Sequence, residues 1–289
     1  MTALSAAGSA GSGIADILSQ PFMRHALLAG TAIAAACGLV GYFVVLRSQV
    51  FSADALSHVA FAGALAALAA GIDPRIGLFA GTIVVAVVIG TLGNRGRADD
   101  VVIGTVFTWM LGLGVLFLSI YTTAHGADNG TANVNVLFGS IFGLDLGQAT
   151  LAAGVGIALC LAVVCIARPL LFASVDESVA SARGLPVRAL GIGFLALVGV
   201  CAAEATQAVG ALLLVGLIAA PAGTATRLTG RPWIGLALSA ALAVGSMWLG
   251  LVVSYLYGSI PASFSIMAVA TSAFAVTFVP RRRAATAIR

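Results

Sequence analysis

The chain has 289 residues, of which 61% are hydrophobic and 8% are charged, and its mean hydropathy is +1.11. Soluble domains carry about 25% charged residues, so this composition excludes a soluble fold and predicts an all-α integral membrane protein with several spans. The formal net charge of +4 rests on 14 positive residues, all arginine, which lie between apolar runs and indicate membrane orientation rather than nucleic-acid binding.

About nine apolar runs are long enough to cross a hydrocarbon core of about 30 Å. They lie at 26–46, 50–71, 75–93, 101–121, 150–168, 188–205, 208–226, 234–257 and 263–279. Turn signals separate several of them, at Asp73-Pro74, Arg168-Pro169, Arg231-Pro232 and Pro261. The sequence therefore predicts about nine transmembrane helices.

The positions of the arginines predict the orientation of these spans. If the N-terminus lies outside, twelve arginines fall in inner segments, and only Arg24 and Arg75 fall in outer segments. Positive residues concentrate on the cytoplasmic side of membrane proteins, so we predict an N-out, C-in topology. The domain prediction is an extracytoplasmic tail at 1–23, a transmembrane domain at 24–280 and a basic cytoplasmic tail at 281–289, whose arginines would meet anionic lipid.

Asp54 and His58 stand four residues apart inside the second apolar run. On a helix, this spacing places both side chains on one face. A charge in the middle of a membrane helix costs about 2.5–3.5 kcal/mol on insertion scales, and such residues usually face a partner or a polar path. A carboxylate oxygen and an imidazole nitrogen suit a divalent transition metal, so we predict that the pair contacts a metal ion in transit. The alternative is an Asp–His hydrogen bond that pins two helices.

The outer stretch Thr122–Gln148 begins with polar residues and ends in a short apolar segment. The apolar part is too short for another span, so an interfacial or re-entrant helix is expected. His125 and Asp128 could contact a binding protein or collect metal, although isolated outer histidines are common. Asp99 and Asp100, at an inner turn, are interpreted as partners of nearby arginines or of a cytoplasmic protein.

The inner loop Ser174–Arg188 has the signals of a short capped helix. Ser174 or Asp176 can serve as the N-cap, Gly184 stands where a left-handed stop is expected, and Pro186 prevents continuation. Because a membrane protein needs only two or three residues to turn around, a dedicated helix here suggests a docking element. A simple solvated connection is the alternative.

Two polar residues near the end of the sixth span and the four cysteines are further candidates for metal contact. Glu204 and Gln207 are placed by the predicted spans beside an outer turn, where they could receive metal, although a solvated turn is the more common interpretation. The cysteines, Cys37, Cys160, Cys165 and Cys201, lie in apolar runs without a C-x-x-C pair. We interpret them as small buried packing residues rather than as metal ligands.

Taken together, these segments resemble the permeases of zinc- and manganese-type ABC transporters, the membrane subunits of metal-ion importers. The resemblance covers about residues 24–279. The segments that carry it are Leu46-Arg47 followed by Asp54–His58, Asp99–Gly104, Leu137–Gly143, Ala182–Pro186, and Val209–Leu214 running to Ala220–Ala222. Their order and spacing carry more weight than any one of them.

The resemblance implies a homodimer in the bacterial plasma membrane, paired with cytoplasmic ATP-binding subunits and supplied by an extracytoplasmic metal-binding protein. Asp54 and His58 match the position from which the family contacts metal. The coupling element that docks on the ATPase would comprise Val175, Asp176, Glu177, Ala182, Arg183, Gly184, Leu185 and Pro186. No permanently bound cofactor is expected, because the divalent metal is cargo, with zinc favoured over manganese or iron.

Other functional classes fit the sequence less well. The chain has no G-x-x-x-x-G-K-[ST] motif and no lysine, so it is not expected to be an ATPase or other enzyme itself. A stand-alone secondary metal carrier is the main alternative, and it would predict inverted repeats, which are not evident. An intramembrane metalloenzyme would need a denser cluster of ligands than three histidines provide. A permease for large chelates would not need Asp54 and His58.

Overall fold

The computed structural model describes residues 20–93, 99–125, 139, 141–211 and 214–278. These ranges contain helices and turns and no strand, which confirms the all-α prediction. The helices are α1 (Pro21–Leu46), α2 (Val50–Ala69), α3 (Pro74–Leu92), α4 (Asp100–His125), α5 (Leu146–Val175), α6 (Glu177–Ala182), α7 (Val187–Val209), α8 (Leu214–Leu228), α9 (Pro232–Leu256) and α10 (Ala262–Val276), with a 3₁₀ turn at Ile141–Gly143.

The predicted spans coincide with helices to within a few residues. Seven of these helices, α1 to α5, α7 and α9, are long and apolar enough to cross a membrane. The other two, α8 and α10, have 15 residues each and are short for a full crossing. The predicted start of the seventh span was wrong: its helix begins at Leu214 rather than at 208, because α7 continues to Val209. The N-out, C-in orientation stays a prediction.

Prolines mark several helix starts, as predicted, but Pro169 and Pro221 lie inside helices. Pro74 and Pro232 occupy the first turns of α3 and α9, and the Asp73 carboxylate accepts a hydrogen bond from the backbone N–H of Arg75. The predicted break at Arg168-Pro169 was wrong, because α5 runs through Pro169 to Val175. A membrane helix tolerates proline where neighbouring groups compensate for the lost hydrogen bond.

The helices differ greatly in how much of their surface the bundle covers. In α1, 67% of the most apolar window is buried, whereas in α4 only 11% is buried. Helix α1 packs against α5, α8 and α9, and α2 packs between α3, α4 and α7. The backbones of α2 and α3 touch at Gly63 and Gly77, where a Cβ on either residue would collide with the carbonyl of the other. This close backbone contact fixes the position of α2, the helix with the candidate metal ligands, against α3.

Some sequence predictions lie outside the described residues. They concern the tails at 1–19 and 279–289, the inner turn at 94–98, and most of the outer stretch at 126–138 together with Asp128.

Candidate metal and coupling sites

Asp54 and His58 lie on one face of α2, as their spacing predicts. His58 Nε2 is 3.9 Å from Asp54 Oδ1, and the exposed fractions of the two side chains are 18% and 38%, respectively. Because 3.9 Å exceeds a hydrogen bond and both residues belong to one helix, the pair does not pin two helices together. His58 is about 13 Å along the helix from Gln49, so the pair lies near the middle of α2 and is partly accessible.

Phe107 of α4 covers one side of this pair. Its ring centroid is 5.2 Å from that of His58 in an edge-on arrangement, and 6.2 Å from that of Phe51. The aromatic edge restricts the imidazole while leaving the carboxylate of Asp54 open. Phe107 is not among the residues predicted from the sequence, because a phenylalanine in an apolar helix carries no signal until the packing of α4 on α2 is known.

Glu204 occupies a different environment from the predicted one. It lies inside α7, which extends to Val209, and its exposed fraction is 2%; the interpretation as a residue of a solvated turn was therefore wrong. Glu204 and Gln207 border a cavity of about 10 Å³ with Arg75 and Gln148, which has room for one water molecule at most. Oε2 of Glu204 has no hydrogen-bond partner. Neither Asp54 nor His58 lines this cavity.

The predicted inner helix is present as α6. Asp176 is its N-cap and accepts a hydrogen bond of 2.9 Å from the Val179 N–H, which lowers the pKa of the Asp176 carboxyl. Gly184 ends the helix with a φ of +80°. The Leu185 N–H then bonds back to the Ala180 carbonyl, the pattern of a Schellman stop.

Helix α6 packs on the bundle and borders an open groove. Ala180 is buried against Ala173 of α5 and Val187 of α7. On the other side, Glu177, Ala182, Leu185 and Pro186 line a groove of about 1000 Å³ together with residues of α7. The predicted docking element is thus one exposed helix fixed to the ends of two long helices.

The cysteines divide into a buried pair and two more exposed residues. The Sγ atoms of Cys37 and Cys201 lie 3.7 Å apart between α1 and α7. Cys160 is half-buried, and Cys165 is exposed, so the prediction that all four are buried was wrong for Cys165. The described residues contain no cluster of three or more histidine, cysteine or acidic side chains that could hold a metal. The Asp54–His58 pair is therefore sparse by comparison with a structural metal site.

The chain is similar in sequence to a known protein family and to several named transport proteins. The sequence profile described as the ABC 3 transport family matches residues 19–281. The chain is 30% identical over 264 residues to the manganese transport system membrane protein MntC of Halalkalibacterium halodurans, covering 91% of this chain and 88% of that protein. It is 29% identical over 250 residues to a Haemophilus influenzae protein named as an iron transport system membrane protein, covering 83% and 88%.

A solved structure has the same architecture. PsaBC from Streptococcus pneumoniae, determined in complex with Fab, superposes with a TM-score of 0.79 at 28% identity, covering 93% of this chain and 95% of that one. The similarity therefore extends over nearly all of the helical bundle and is not confined to one motif.

Proposed function

The chain belongs to the ABC 3 transport family, and we propose that it is the membrane-embedded subunit of an ATP-driven importer of divalent transition-metal ions in a bacterial cell. The named relatives are membrane components of manganese and iron transport systems. The chain has the long apolar helices that such a component needs.

The Asp54–His58 pair is the observation that carries this proposal. The pair offers one carboxylate oxygen and one imidazole nitrogen near the middle of α2, and it is partly open. Two ligands leave most of the coordination positions to water, which suits an ion that must leave again. In a homodimer the same residues would be present twice, so that up to four protein ligands would be available to one ion.

Glu204 is proposed as a second, outer station for the ion. Its Oε2 atom has no hydrogen-bond partner and borders the small cavity with Arg75. A buried carboxylate is costly unless it is paired; Arg75 at the same cavity offers one positive charge, and a cation that arrives in another state would supply a partner for Oε2. In this conformation the cavity is too small for a hydrated ion, and α7 would have to move before Glu204 could bind one.

The energy source is proposed to be a separate ATP-binding subunit that docks in the groove beside α6. Ions would reach the outer side from an extracytoplasmic metal-binding protein. The residues proposed for the inner contact are those of the coupling element, Val175–Glu177 and Ala182–Pro186. Glu177, Ala182, Leu185 and Pro186 line the groove, and the other four residues of the element are exposed, which supports this assignment.

The proposal also concerns which metal ion is carried. An Asp–His pair accepts zinc, manganese or ferrous iron, and zinc was favoured from the sequence. The relatives named above refer to manganese and iron, so we propose that Mn²⁺ or Fe²⁺ is carried at least as well as Zn²⁺. Competition among the three ions in one uptake assay would rank them.

Uptake by the reconstituted transporter tests the proposal. In proteoliposomes that contain the chain and its ATPase, radiolabelled Mn²⁺ should enter only with ATP, and Asp54→Ala or His58→Ala should reduce uptake by at least about 10–100-fold. His25→Ala, in the outer part of α1, is the control and should leave uptake unchanged. Normal uptake in both pair variants would reject the site, and uptake driven by a proton gradient without the ATPase would favour a secondary carrier.

A further inference from the structure

Arg47 is a buried arginine at the inner end of α1, with an exposed fraction of 3%. It is the C-cap of α1 and precedes the turn into α2. The residues assigned above to the ion and to the ATPase do not include it. Burying a guanidinium is costly unless polar or aromatic groups contact it. The groups that contact Arg47 therefore indicate which helices it connects.

The turn after Arg47 has a fixed geometry. Ser48 adopts the left-handed conformation with a φ of +57°. The N–H groups of Ser48 and Gln49 bond back to the carbonyls of Val45 and Val44 at 3.1 and 2.8 Å, which is a Schellman stop with serine in the position that glycine usually takes. Gln49 is then the N-cap of α2. Only Ser48 and Gln49 separate Arg47 from the first residue of α2, so a movement of Arg47 would displace the start of the helix that carries Asp54 and His58.

The guanidinium of Arg47 reaches from this turn to two other helices. Nη1 donates to Ser174 Oγ of α5 at 3.5 Å, and Nε donates to Gln49 Oε1 at 3.4 Å. The guanidinium carbon lies 5.8 Å from the ring centroid of Phe194 in α7, within the range of a cation–π contact. These contacts bring one planar group at the end of α1 against the N-cap of α2, the end of α5 and a ring of α7.

The α5 partner of Arg47 belongs to the same corner of the molecule as α6. Ser174 is two residues before Asp176, which ends α5 and caps α6. Phe172, in the last turn of α5, lies against the Arg183 guanidinium at 6.0 Å. Helix α6 therefore cannot shift without moving the end of α5 that Arg47 contacts.

We propose that Arg47 is a positioning residue that couples the movement of α6 to α2 and hence to the Asp54–His58 pair. This inference rests on the proposed function, in which α6 receives the movement of the ATPase. The guanidinium would transmit the shift of the α5–α6 corner through Gln49 to the first turn of α2. Lysine could supply the charge but not the planar fork that touches Ser174, Gln49 and Phe194 at once.

The test compares metal uptake with ATP hydrolysis in the complete reconstituted complex. Arg47→Gln should reduce Mn²⁺ uptake at least tenfold while ATP hydrolysis stays within twofold, so the number of ions moved per ATP falls. The KM for Mn²⁺ should stay within twofold, because Asp54 and His58 are retained. Arg47→Lys should be similarly uncoupled, and Ser174→Ala should lower the ratio two- to threefold. Arg168→Gln, an exposed arginine on α5, is the matched control and should behave like the wild type.

The outcomes separate transmission from a structural role. A proportional fall in uptake and hydrolysis, or a normal ratio in Arg47→Lys and Ser174→Ala, would overturn the inference. If Arg47→Gln does not assemble, the ratios of Arg47→Lys and Ser174→Ala decide the matter. If the wild-type complex itself shows no ATP-driven uptake, it is the proposed function that fails, since the comparison between variants then has no starting activity.

Discussion

Two carboxylates inside apolar helices, Asp54 of α2 and Glu204 of α7, have opposite environments. Asp54 has a potential co-ligand in His58 at 3.9 Å and a side chain that is 38% exposed. Glu204 is 2% exposed, with one oxygen unpartnered in a cavity of about 10 Å³. The first belongs to the α2–α4 face, which is partly open, and the second to the closed interior of α1, α5 and α7.

Under the proposed function, this conformation would admit an ion at Asp54 but not at Glu204, where the cavity measures only about 10 Å³. The side chain of Asp54 is 38% exposed in this conformation, so under the proposed function no helix has to move before an ion reaches it. The interior at Glu204 must first open at α7. If both residues serve the ion, they act in succession and in different conformations, as alternating access requires.

Glu204→Gln is expected to have the largest effect among the changes that test this contrast. The amide keeps the shape of the side chain but removes its charge, so an outer station would lose its affinity and Mn²⁺ uptake should fall at least tenfold. The thermal unfolding temperature should rise, because a buried charge is more costly than a buried neutral amide. Uptake and unfolding of the purified variant measure both effects.

Glu204→Asp is the control for charge, since it keeps the carboxylate and should retain more uptake than the glutamine variant. A more stable Glu204→Gln protein with normal uptake would show that Glu204 has only a structural cost and is not part of the route.

Much of the fold follows from local sequence. Hydropathy predicts the long helices, and proline predicts the starts of α3 and α9, with the Asp73 cap as a second signal at α3. The short helix α6 could be predicted because Asp176 signals its start and Gly184 signals its end, and both signals are local in the sequence. Pro169 misled the prediction, since the same residue type starts a helix at Pro74 and lies within one in α5.

The candidate site was predictable only where it depends on one helix. The spacing of Asp54 and His58 is a property of α2 alone, so the sequence sufficed. Phe107 and Arg47 act across helices that are distant in the chain, and their contacts depend on packing that hydropathy does not specify. Glu204 was misplaced because four more residues of α7, beyond the predicted end at 205, carry it into the interior.

Phe107→Ala should have an intermediate effect on the open face. The contact of its ring with His58 is worth about 0.5–1.5 kcal/mol by the usual range for aromatic pairs. If this contact orients the imidazole for the ion, its loss should raise the KM for Mn²⁺ about two- to tenfold with little change in the maximum rate. Trp109→Ala, an exposed aromatic residue on the same helix, should leave the KM unchanged. Equal changes in both variants would mean that α4 itself is disturbed.

Cys37→Ala and Cys201→Ala should have the smallest effect, because the thiol pair is proposed to serve packing in the closed interior. Each substitution should lower the free energy of unfolding by about 1 kcal/mol and leave Mn²⁺ uptake within twofold. Cys165→Ala, at an exposed position, should change neither quantity. Strong loss of uptake in Cys37→Ala, with normal uptake in Cys165→Ala, would contradict the contrast between the two regions. It would assign the thiol pair to the ion route rather than to packing, because a residue that only packs lowers stability without blocking uptake.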